Sequence, residues 1–104
     1  MQLGEGNKPI YDVFEDKLAI KFREKHSNDI ELQNRIEDKY YKLSINPIKE
    51  SEDGFKSKKC PKCKKTRVGN YRIIYYINKS RNTVEIIDIG IRKNIYKKWV
   101  DKNI

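Results

Sequence analysis

Two runs near the C-terminal end constrain the fold most. Residues 71–78 read YRIIYYIN and residues 83–91 read TVEIIDIGI. Both are rich in isoleucine, valine and tyrosine, the residues that fit a pleated, half-buried surface. Only four residues, 79–82, separate them, so they must pair antiparallel. A third strand candidate, residues 62–68, precedes them across a Gly69-Asn70 turn. The hydrophobic period is different upstream. Phe14, Leu18 and Phe22 recur every four residues, with Ala19 beside them, and predict a helix over residues 16–26. Ser27, Asn28 and Asp29 break it, and Asn28 with Glu31 resembles a capping box for a second helix. Leu32, Ile36, Tyr40 and Leu43 form the stripe of that helix, and Pro47 ends it. Residues 10–14 (IYDVF) predict a short first strand, residues 48–61 a polar loop, and the segment from Arg92 a short helix. The expected class is α+β. An N-terminal strand and an antiparallel helical hairpin pack on one face of a mainly antiparallel four-stranded sheet, and a short C-terminal helix follows. Residues 1–9 are expected to be a loose tail and residues 10–104 a single domain.

With 104 residues, two independent cores do not fit. The net charge is +9, and it is unevenly placed. Residues 1–50 carry 9 Lys/Arg against 10 Asp/Glu, whereas residues 51–104 carry 15 against 5. One half therefore holds the whole excess, which points to a polyanion partner, nucleic acid before an acidic protein. No apolar run approaches the roughly 20 residues of a membrane span, and no secretory signal opens the chain. With two cysteines only, a cytoplasmic location is the default.

Strand alternation puts Lys65 and Arg67 on one side and Arg72 beside Ile74 and Tyr76. Arg92 shares parity with Asp88 and Ile86. Antiparallel pairing can then gather Lys65, Arg67, Arg72 and Arg92 on one surface, with Tyr96 one helical turn beyond Arg92. Guanidiniums, an ammonium and a phenol make a phosphate site with a stacking platform. Such cations can stabilise the dianionic phosphorane formed when a 2′-OH attacks the neighbouring phosphate. A lysine crowded by other cations can accept a proton near neutrality. The single histidine, His26, closes the first helix away from the basic strands and reads as a surface or helix-terminal residue. Cys60-Pro61-Lys62-Cys63 leaves three readings open: an ordinary turn with reduced thiols, half of a zinc site shared between two chains, or a redox-sensitive disulfide.

The order Arg67, Gly69, Tyr71-Arg72, Gly90, Arg92 and Tyr96, with Asn46-Pro47 upstream, resembles the RelE/ParE superfamily of toxin–antitoxin toxins over about residues 10–99. The resemblance implies a ribosome-dependent mRNA interferase. It would cut mRNA in the ribosomal A site without metal or cofactor, leaving a 2′,3′-cyclic phosphate and a 5′-OH. By motif, Lys65 would be the general base, Arg67 a phosphate or rRNA contact, Arg72 the transition-state stabiliser, Arg92 the leaving-group assistant and Tyr96 the nucleotide's stacking partner. Lys62, Lys64, Lys93 and Lys97 would bind RNA. The implied partners are a cognate antitoxin and the ribosome with its mRNA. The sequence offers no His or Glu at the site, which places it nearer the RelE type than the YoeB or HigB types. Cys63 stands where RelE members can carry another lysine, and Ile91 where many relatives have His or Lys. Two alternatives share the strand signature: a ParE-like inhibitor of gyrase, and a non-toxic RNA-binding member.

Overall fold

The computed structural model describes residues 9–100. The expected tail therefore lies outside the described residues except for Pro9. Seven elements follow in order: β1 (Asp12–Glu15), α1 (Lys17–Lys25), α2 (Ile30–Ile45), β2 (Lys64–Val68), β3 (Tyr71–Asn78), β4 (Thr83–Ile91) and α3 (Arg92–Trp99). The sheet order is β1-β4-β3-β2. β2, β3 and β4 form an antiparallel meander, and β1 joins parallel to β4. The long crossover through α1, α2 and the following loop makes the expected mixed α+β sheet.

Burial follows the two periodicities. On one sheet face Ala19, Leu32, Ile36, Tyr40 and Leu43 of the hairpin pack on Ile73, Tyr75, Val84, Ile86 and Ile89. Fully burying one such isoleucine contributes about 1.5–3 kcal/mol. Tyr75 is fully buried and donates its hydroxyl to the Pro47 carbonyl at 2.6 Å, which ties the exit of α2 to the sheet. A polar cluster holds the hairpin to β1. Arg23 binds Gln33, Glu15 and Glu37 at 2.8, 3.1 and 2.6 Å, and Tyr40 donates to Glu15 at 2.7 Å. The other face is not bare. α3 lies on it, burying Ile95 against Ile74 and Cys63.

Four local expectations change. β1 spans Asp12–Glu15, with Val13 turned to the hairpin and Phe14 exposed on the opposite face, so Phe14 does not belong to the helical stripe. The cap of α2 is Asp29, whose carboxylate accepts from the Leu32 amide at 3.0 Å, rather than Asn28. β2 begins at Lys64, because Cys60–Cys63 closes a turn before it. In β4 a bulge interrupts the alternation. Ile74 pairs with Asp88 but Tyr75 pairs with Ile86, so Ile87 has no partner. Ile86 therefore enters the helix-side core and does not share a face with Asp88.

Candidate functional site on the sheet and α3

The turn between β2 and β3 needs a residue at positive φ, and Gly69 adopts +58°. Its carbonyl accepts from Arg67 Nε at 3.2 Å and from Arg72 Nη1 at 3.3 Å, joining two arginines that are direct cross-strand partners. Arg72 also donates to the Tyr71 carbonyl at 3.0 Å and is almost fully buried. Two pairs further along β2, Lys65 faces Ile74 and is equally buried. At the end of β4 the chain turns directly into α3. Arg92 donates its amide to the Asn70 carbonyl at 3.1 Å, which fixes the start of the helix over the β2–β3 turn. Tyr96 then sits one turn on, and its hydroxyl accepts a hydrogen bond from the Lys65 ammonium. Lys65 Nζ lies 4.6 Å from the Tyr96 ring centroid and the Arg92 guanidinium carbon 4.9 Å. Lys65, Arg67, Arg72, Arg92 and Tyr96 are thus brought together.

The Lys65 hydrogen bond holds the Tyr96 phenol below the usual tyrosine range. Partial burial opposes this, and the nearby Arg92 adds to the lowering. A carboxylate joins the group that sequence reading left without one. Glu52 pairs its backbone with Lys65, its amide donating to the Lys65 carbonyl at 2.9 Å. Its Oε1 lies 2.8 Å from Arg72 Nε and 3.9 Å from Lys65 Nζ. The close contact with Arg72 is ionic without hydrogen-bond alignment, and both atoms are buried with no hydrogen-bond partner. Lys65 is consequently not crowded by cations alone.

The four flanking lysines divide. Lys93 and Lys97 are exposed on α3, and Lys93 lines an open cleft of ≈ 650 Å³ with Arg92, Tyr96, Tyr71, Asn70 and Ile91. Lys62 and Lys64 line a different cleft beside Ile77 and Lys79. Lys64 alternates to the sheet face opposite Lys65. The cysteines form a Cys60–Cys63 disulfide with Cα atoms 5.3 Å apart, next to Trp99 and Tyr96. Among the described residues no group of three or more His, Cys, Asp or Glu could hold a metal. The disulfide is one of the three readings that the Cys60-Pro61-Lys62-Cys63 spacing left open.

The family model for the ParE toxin of the type II toxin–antitoxin system parDE matches residues 15–96. The chain belongs to this ParE toxin family. Several solved structures are similar to this ParE-family chain. A chain in the RelBE2 toxin–antitoxin complex from Mycobacterium tuberculosis superposes with a TM-score of 0.66 at 25% identity, covering 82% of this chain and 100% of that one. The archaeal RelE–RelB complex from Pyrococcus horikoshii gives 0.60 at 20%, covering 80% and 96%. The intact E. coli RelBE complex gives 0.59 at 21%, covering 78% and 95%. The last two show the fold alone. No curated protein matches the sequence. The molecule is a RelE/ParE-type toxin of a toxin–antitoxin system. No helix among its described residues is long and apolar enough to cross a membrane.

One of this toxin's site neighbours, Glu52, escaped sequence reading. It lies in residues 48–61, which carry no period from which its pairing with β2 could be read. His26 ends α1 as expected, and its ring stacks on Phe22 at 4.2 Å and meets Tyr71 edge-on at 6.2 Å.

Proposed function

We propose that this toxin is a ribosome-dependent, metal-independent endoribonuclease of the RelE type that cleaves mRNA in the A site and stops translation. The observation that carries this reading is the clasp of Lys65 and Arg92 around a Tyr96 phenol of lowered pKa. A phenolate so held can take the proton of the 2′-OH. The 2′ oxygen then bonds to the adjacent phosphorus, and the P–O5′ bond breaks. Lys65, Arg72 and Arg92 stabilise the dianionic phosphorane, and Arg92 sits beside the departing 5′ oxygen, which is protonated from water. The products are a 2′,3′-cyclic phosphate and a 5′-OH. This proposal gives Tyr96 the role of base that the resemblance implied for Lys65, and Lys65 acts through the phenol. Arg67, exposed at the sheet edge, contacts phosphate or rRNA. Lys93 and Lys97 extend the RNA surface along α3, and Lys62 and Lys64 contribute from the neighbouring cleft. Residues 10–104 act as one domain in the cytoplasm, with a cognate antitoxin whose acidic or amphipathic segment covers the basic face.

The ParE family match favours a second reading, inhibition of gyrase without RNase activity. One experiment separates the two. Purified toxin is added to ribosomes translating a defined mRNA, and in parallel to a gyrase supercoiling assay. The proposal expects cut mRNA with wild type and at least a 100-fold slower rate with R72A, R92A or Y96F, all folded by circular dichroism, and unchanged supercoiling. Intact mRNA together with blocked supercoiling supports the second reading.

A further inference from the structure

A second cleft adjoins the phosphate site, and none of the residues discussed as catalytic explains its chemistry. Phe22 and His26 close the C-terminal turn of α1, four residues apart, so their rings share one helix face. Their centroids are 4.2 Å apart and tilted by 31°. Tyr71 presents its edge to both, at 5.6 Å from Phe22 and 6.2 Å from His26. These three rings form one wall of a ≈ 350 Å³ cleft whose floor is Gly90 and Ile91 and whose far wall is α3. Gly90 lets α3 pack close to β4, since a Cβ there would stand 3.1 Å from Ile95.

Three features define what fits. The cleft borders the ≈ 650 Å³ cleft at Arg92 and Tyr96, and Tyr71 and Ile91 line both. Its rim is basic, with Lys25 on α1 and Lys98 on α3. The one carboxylate lining it, Asp88, is fully engaged: Oδ1 accepts from the Ile89 amide at 2.9 Å, and Oδ2 accepts from Trp99 Nε1 at 2.8 Å and pairs with Lys98 at 3.0 Å. Aromatic walls, a basic rim and a neighbouring phosphate site are the components of a single-stranded nucleic-acid groove, where a base stacks while its backbone meets cations.

We propose that the Phe22–His26–Tyr71 cleft is a nucleobase subsite, holding the base of the nucleotide adjacent to the phosphodiester that lies over Tyr96 and Arg92. This deepens the RNA reading of that site and rests on it. His26 is the exchangeable part of the wall, because Phe22 and Tyr71 also pack against the core. Stacking of this kind makes His26→Ala cost roughly tenfold in affinity.

The test measures binding of the full chain to two probes by calorimetry: a 2′-O-methyl RNA trinucleotide, which cannot be cleaved, and 1-O-methylribose 3,5-bisphosphate, which has no base and fills the phosphate site alone. H26A is expected to bind the trinucleotide about tenfold more weakly and the bisphosphate unchanged, and H26F to restore the trinucleotide affinity. Circular dichroism and thermal unfolding establish that both variants are folded. Equal trinucleotide affinity for H26A and wild type overturns the subsite, as does an equal loss for both probes or a failure of H26F to restore binding. Such a result would also fit a cleft that receives an aromatic side chain of a protein partner. The R72A/R92A double variant tests the underlying reading separately. If it binds the bisphosphate as tightly as wild type, the phosphate site itself is misassigned, whatever His26 does.

Discussion

At the scale of single residues, Glu52 stands between the cations Arg72 and Lys65, and the Tyr96 phenol stands between Lys65 and Arg92. Burying Lys65 and Arg72 side by side is tolerable only because Glu52 stands between them. Replacing it with glutamine keeps the shape and removes the compensating charge. Glu52 is about one-third exposed, which moderates the penalty. E52Q is therefore expected to lose about 1–3 kcal/mol of unfolding free energy by denaturant titration. It is also expected to bind adenosine 3′,5′-bisphosphate more tightly than wild type, since the ligand no longer competes with an internal anion. The Tyr96 pair makes a prediction of opposite character. Lys65 donates to the hydroxyl and favours the phenolate, so cleavage should rise with pH and level off below the ordinary tyrosine value. K65M removes the donor, and the rising limb should move to higher pH in a pH–rate profile. A limb that stays in place would show that the phenol is not the group titrating. Lys65, Arg67, Arg72, Arg92 and Tyr96 were legible because strand parity and one helical turn are fixed distances. Glu52 was not, because a single backbone bridge across thirteen residues leaves no periodic trace.

At the scale of elements, α3 decides where Tyr96 and Arg92 sit, and three of the contacts that hold it down lie outside the cation cluster. Ile95 packs over Gly90, Trp99 donates to Asp88, and Lys59 donates to the Lys98 carbonyl at 2.9 Å from the loop that carries the disulfide. Trp99→Phe keeps the ring and leaves the Asp88 oxygen with Lys98 only. A loss of about 1–3 kcal/mol is expected, with cleavage falling by more than global unfolding explains because Tyr96 loosens with the helix. The Cys60–Cys63 link closes a very short loop, so reducing it should cost about 2 kcal/mol in the chain-entropy model. A thermal shift unchanged by dithiothreitol would contradict this. The period of 3.6 marked α1 and α2, and the β-rich runs marked β3 and β4. The bulge at Ile87 was hidden because it breaks the very alternation by which strands are read. Ile86 went to the core and Asp88 to α3 as a result.

For the whole molecule, the division of charge seen along the chain becomes a division in space. The four strands together balance their charge, while α3 carries four Lys/Arg and no Asp/Glu, so the excess lies on α3 and on the loops that flank the β-meander. RNA affinity should therefore fall steeply with salt, with a slope near −0.7 for each phosphate neutralised on a single strand. R92A and K93A should each reduce the magnitude of that slope by about 0.7 in anisotropy titrations. The hairpin core is remote from this effect, and its stability should change little over the same range. The most direct test is to map the ends of a defined mRNA after incubating the toxin with translating ribosomes, free of metal beyond what the ribosomes require. The expected result is discrete A-site cuts bearing a 2′,3′-cyclic phosphate upstream and a 5′-OH downstream, absent for R72A and R92A. Uncut mRNA with wild-type toxin, or cuts that persist undiminished when both arginines are replaced, would contradict it.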